Sequence, residues 1–79
     1  MISSEEAKEV AIKTAEINPT EVQYIKVKLE QEDDYKIVKG KKIQYVYEVE
    51  FLHNGFEYDF DIDAETKEVL KSKVEPWND

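Results

Sequence analysis

Seventy-nine residues make one small domain with one core at most, which excludes a multidomain enzyme. Nineteen acidic against eleven basic residues leave a net charge of −8 and a pI near 4.6, which argues against nucleic acid and anionic membrane, partners gripped through phosphates. The absence of cysteine removes disulfides, thiolate zinc sites and thiol nucleophiles, yet 41 % apolar residues are enough to fold.

Ser3-Ser4-Glu5-Glu6 reads as a capping box, in which the Ser3 hydroxyl accepts from the amide of Glu6 while Glu6 reaches back to the amide of Ser3. Ala7, Val10, Ala11, Thr14 and Ala15 recur at helical spacing, with Glu9 and Lys13 paired on the other face. Asn18-Pro19 ends the segment, because the residue before proline is driven out of the α region. The spacing predicts a helix over residues 4–16 whose narrow, small-sided face suits close packing on a sheet. Val10-Ala11-Ile12 is the longest aliphatic run, too short to enter a membrane. The chain therefore reads as soluble, either a whole cytosolic protein or a domain of a longer one whose targeting segment lies elsewhere.

From Val22 the period falls to two: Ile25, Val27 and Leu29 alternate with Tyr24, Lys26 and Lys28. Ile43, Tyr45, Tyr47, Val49 and Phe51 form a second alternating set, against Gln44, Val46, Glu48, Glu50 and Leu52. Asn54-Gly55 then supplies a tight hairpin turn, which pairs Phe51 with Tyr58, Val49 with Phe60 and Tyr47 with Ile62, so every inward residue meets an inward residue. The charge-rich connection 30–42 conflicts with this register. Pairing Val38 with Ile43 around Lys39-Gly40 demands an odd register, whereas keeping the first two strands in phase demands an even one. The segment is therefore a protruding, mobile excursion, or a bulge resets the register before residue 43.

Charge chooses the neighbours independently. Glu50 opposite Asp59 and Glu48 opposite Asp61 repel unless bases flank them. Lys26 and Lys28 are in phase on one side, and Lys71 and Lys73 of a fourth segment, 69–74, on the other. A meander in sequence order lays basic, acidic, acidic and basic rows across its open face. The predicted fold class is α+β: an N-terminal helix packed on one face of a three- to four-stranded antiparallel β-meander, with residues 1–75 as the domain and 76–79 as a polar tail.

Ile2-Ser3-Ser4-Glu5-Glu6-Ala7-Lys8 with Val10-Ala11-Ile12, then Tyr47-Glu48-Val49-Glu50-Phe51, Gly55, Glu57-Tyr58, Ile62-Asp63-Ala64, Thr66 and Glu68-Val69-Leu70 together resemble the PepSY domain, found in propeptides of thermolysin-like metallopeptidases and in exported or lipid-anchored bacterial proteins. Lys67 stands where that family usually has Gly, which predicts positive φ there. The connection before residue 43 is longer than usual. The resemblance implies a domain that is not an enzyme and that inhibits or chaperones a peptidase, or regulates proteolysis, outside the cytoplasm or at the cell envelope. The alternative is a structural or sensory interaction domain of an exported protein with no peptidase partner.

Other chemistry is weakly supported. Asp59, Asp61 and Asp63 open like a calcium loop, but Ala64 and Leu70 replace the required Gly and Glu, and a strand holds carboxylates in a line. His53 is the single imidazole, expected to pack on Phe56 at the strand end, and no serine or threonine carries an activating motif. No catalytic residue, metal or cofactor is expected. The partner is expected to be a protein, such as a metallopeptidase, meeting the open face at Tyr24, Lys26, Lys28, Val46, Glu48, Glu50, Leu52, Asp59 and Asp61.

Overall fold

The computed structural model describes residues 1–38 and 40–78, the side chains of residues 33–36 and 38 excepted. Helix α1 (Ser4–Ala15) begins on the expected capping box: the amide of Glu6 donates to Ser3 Oγ at 3.1 Å, and the amide of Ser3 to Glu6 Oε1 at 3.0 Å. Glu16, left-handed at φ 58°, closes it by donating to carbonyls of the last turn. One 3₁₀ turn, Pro19–Glu21, leads into four strands, β1 (Gln23–Val38), β2 (Lys41–His53), β3 (Phe56–Asp63) and β4 (Val69–Pro76), paired antiparallel in the order β1-β2-β3-β4. This is the α+β meander expected, with all four strands present.

The Asn54-Gly55 hairpin carries the predicted register, from His53 opposite Phe56 to Val46 opposite Asp63. Helix α1 lies over β1, β2 and β3. Ala7 and Ala11 are buried against Tyr47, Val49, Phe51, Phe60 and Ile62, and Phe51 stacks on Tyr58 with ring centroids 5.0 Å apart. Alanines at the contact let the helix approach the aromatic layer closely, and burying each large side chain contributes roughly 1.5–3 kcal/mol. The N-terminus is part of this core: the Ile2 amide donates to the Ala64 carbonyl at 2.7 Å, and the buried Tyr47 hydroxyl donates to the Ile2 carbonyl at 2.9 Å.

Residues 30–42 do not protrude as a loop. The hairpin continues to Val38 opposite Lys41, and the register shifts between Gln31, paired with Tyr45, and Lys36, paired with Ile43. Residues 32–35 stand against Gln44 alone, so three extra β1 residues are absorbed in one bulge. The bulge joins an odd register at the turn to an even one beyond it, the second outcome the sequence left open, but the pairing of Val38 with Ile43 is not observed: a tighter turn sets Val38 opposite Lys41 and Ile43 opposite Lys36. Of the apolar side chains assigned to the excursion, Ile37 is exposed, whereas those of Tyr35 and Val38 lie outside the described residues, as does Lys39. A second shift lies between Gln23, paired with Leu52, and Lys26, paired with Glu50, and here Tyr24 takes φ 52°. At the other end, β4 runs two residues past the expected Val74, and the Trp77 amide donates to the Gly55 carbonyl at 2.9 Å.

Candidate interaction face

The open side of the sheet carries the four charge rows in the expected order. Lys28, Glu48, Asp61 and Lys71 are aligned across the strands, as are Lys26, Glu50, Asp59 and Lys73. Together they line a shallow hollow of about 330 Å³. Strand alternation alone places these side chains on one face. Two of the lysines also hold acids on their own strands: Lys28 Nζ lies 2.7 Å from Glu30 Oε1, and Lys73 Nζ lies 3.5 Å from Glu75 Oε2. Glu30, with a smaller part from Glu48, raises the Lys28 pKa above its ordinary value.

Compensation weakens toward the Asn54-Gly55 turn. The next aligned positions are Leu52, Glu57 and Glu75, without a lysine. Carboxylate oxygens of Glu50, Glu57 and Asp59 come within 4.8 Å of one another. Desolvation raises the Glu57 pKa, helped by its hydrogen bond with Glu50 and by the charges of Asp59, Glu50 and Glu75. Asp59 is raised by desolvation and by Glu50 and Glu75, while Lys73 and Lys71 pull the other way. The three carboxylates offer oxygen ligands of the kind a hard cation takes, but exposed acids gather like this without one.

Of the apolar positions expected here, Tyr24 is 76 % exposed and Leu52 half-buried, both within reach of a partner. Val46 is not: paired with Glu30 and Asp63, it is 2 % exposed and belongs to the protein's interior. Alternation assigned its face correctly, but period-two patterning carries no information about what lies above that face.

Two residues take roles that strand alternation did not reveal. The Asp63 carboxylate is buried, accepting from the Glu65 amide and the Thr66 hydroxyl, each at 2.9 Å, with Lys41 Nζ at 3.7 Å. It organises the β3–β4 turn, where Lys67 adopts the expected positive φ, 71°. The Asp-x-x-Thr spacing of a side-chain-braced turn was the available signal. His53 meets Tyr58 edge-on at 6.3 Å, with Nε2 3.4 Å from Glu21 Oε2. It closes the strand end against Tyr58, and its ladder partner is Phe56.

Comparison with known proteins agrees with this architecture. The family model for the peptidase propeptide and YPEB domain, PepSY, matches residues 1–73. Uncharacterized protein Spy1430 of Streptococcus pyogenes serotype M6 is 33 % identical over 78 residues, covering 99 % of this chain and 53 % of that protein. The chain thus spans about half the length of this curated relative. No solved structure matches it.

Proposed function

Because the chain belongs to the PepSY family, whose domains serve as peptidase propeptides or regulators and occur in exported bacterial proteins, we propose that it is a non-catalytic module that binds a peptidase and inhibits, chaperones or restrains it outside the cytoplasm or at the cell envelope. The observation that carries this reading is the open face. Its alternating rows of Lys26, Lys28, Glu48, Glu50, Asp59, Asp61, Lys71 and Lys73 present ordered charge to a protein surface, with Tyr24 and Leu52 as apolar anchors beside them. Buried anchors supply most of the affinity at such contacts, while charged rows set orientation and speed of encounter.

Titrating the domain into a co-occurring extracellular metallopeptidase tests the proposal, with binding and residual peptidase activity measured together. Saturable association that lowers or protects activity, and weakens with salt, is expected. No association points instead to a structural or sensory role in an exported protein. Hydrolysis by the isolated domain overturns both readings.

A further inference from the structure

The two edges of the sheet are unequal. On β1 the regular stretch from Lys26 to Gln31 is bounded by register shifts on both sides, and bulges bend and twist a strand so that it pairs poorly with another. On β4 the ladder runs unbroken from Lys71, opposite Asp61, to Pro76, opposite Phe56. It continues into the Trp77 amide bond to Gly55.

That last bond fixes the phase of the edge. Antiparallel pairs alternate between hydrogen-bonded and non-bonded, so if residues 55 and 77 are bonded, Lys71, Lys73 and Glu75 turn their backbone groups toward β3. Ser72 and Val74 then turn their amides and carbonyls outward, and Pro76, which has no amide to lose, falls at another outward position. The bond from the Ala64 amide to the Tyr45 carbonyl gives the same phase from the other side of β3. On the helix-facing side, α1 lies over β1 to β3, leaving Val74 51 % and Phe56 43 % exposed.

We propose that the outer edge of β4 is a strand-addition site for an extended segment of a partner protein in which acidic and apolar residues alternate. The charge order supplies the chemistry. Rows run basic, acidic, acidic, basic from β1 to β4, so a fifth strand needs acids opposite Lys71 and Lys73 and a base opposite Glu75. On the other face, an apolar side chain covers Val74. For an antiparallel segment this reads, from its N-terminal end, basic, apolar, acidic, apolar, acidic. A second copy pairing through β4 sets lysine against lysine when Ser72 faces Ser72 or Val74, and the remaining register, with Val74 facing Val74, sets Ser72 opposite Pro76, which donates no amide. The site depends on the β4 edge alone, whether or not the partner is a peptidase.

The test titrates two capped peptides, Lys-Val-Glu-Val-Glu-Val and its charge-inverted counterpart Glu-Val-Lys-Val-Lys-Val, into the labelled domain and follows amide exchange by NMR. The first peptide should slow exchange at Ser72 and Val74 by at least about tenfold and bind at least about tenfold more tightly than the second. In the doubly substituted Lys71→Glu, Lys73→Glu domain that preference should reverse. Val74→Pro removes an outward amide without touching the β3 ladder, so a variant that still melts cooperatively should lose peptide binding. If it fails to fold, a peptide N-methylated at alternate residues makes the same measurement on the unaltered domain. Equal binding of both peptides, protection confined to β1, or dimerisation through β4 without peptide would overturn the proposal.

Discussion

Lys67 Nζ lies 3.1 Å from Glu6 Oε2, so the residue that holds the β3–β4 turn at positive φ also reaches the first turn of α1. A non-glycine residue in this conformation costs roughly 1–2 kcal/mol. The exposed ion pair to Glu6 returns little, and glycine's extra unfolded freedom takes back about 0.5–1 kcal/mol. Lys67→Gly should therefore be neutral or stabilising by up to about 1 kcal/mol. Denaturant midpoints of the two proteins decide it, and clear destabilisation would mean that the ion pair outweighs the backbone strain.

The capping box should be worth more than that ion pair. Ser3→Ala leaves the Glu6 amide without its acceptor and should cost about 0.5–2 kcal/mol. An unchanged midpoint in urea would show that α1 does not depend on its cap.

Two glutamates should respond oppositely to acid. The Ser3 amide, then Lys67 and the Ser3 hydroxyl, hold the Glu6 carboxyl below its ordinary pKa. Its contribution is present above about pH 4.3, the unfolded value, and disappears as pH falls through the lower folded one. Glu57 is shifted upward, so its penalty is absent below the unfolded value and develops as pH rises through the folded one. Glu57→Gln should raise the melting temperature at pH 7 and lose that advantage below about pH 4, whereas Glu6→Gln should lower it at pH 7 and converge with the parent protein in acid. Melting curves across that pH range would refute the assignment if the two variants shifted in the same direction.

Removing the Tyr47 hydroxyl should loosen the N-terminus specifically. Tyr47→Phe abolishes the buried bond to the Ile2 carbonyl and should cost about 1–3 kcal/mol, the range for stranding a buried polar group. Faster amide exchange at Ile2, with β3 and β4 unchanged at the end beside Asn54-Gly55, is the expected pattern. Uniform acceleration would mean that the bond supports the whole core.

Tyr24 joins high exposure with positive φ, a costly conformation for a bulky side chain. Tyr24→Gly should leave the melting temperature unchanged or raise it, and should weaken association in the peptidase titration. A large loss of stability would show that the ring supports the fold.

How much of this was legible in the sequence depended on whether neighbouring residues carried the signal. Ser3 with Glu6 and Asn54-Gly55 are local devices, and each led directly to an observed boundary. The charge rows were legible because Glu48 and Glu50 sit in phase with Lys26, Lys28, Asp59 and Asp61, so strand order followed from repulsion and its relief. The long hairpin was not, because parity reveals that residues 30–42 break register but not that three of them can be taken up opposite Gln44. Burial of Val46 escaped for a related reason: alternation names a face and is silent on what covers it. The crowded group Glu50, Glu57 and Asp59 lies on β2 and β3 and its further acidic neighbour Glu75 on β4, so its full surroundings needed the register of three strands at once.

The bonds at either end of β3 have a mechanical consequence. Ile2 is tied to Ala64, just after β3, and Trp77 to Gly55, just before it, so the ends of the chain leave from opposite ends of one strand. Gly55 and Ala64 are nine residues apart, about 31 Å at ~3.4 Å per residue, the distance at which anything joined at these two points would be held apart. Tension on the Trp77 end against a held β3 would slide β4 along β3, loading the ladder from Asp61 to Phe56 in shear. A ladder in shear must give way along its length at once, whereas one peeled from an end opens a bond at a time, so the β3–β4 ladder resists a pull along its strands better than one across them.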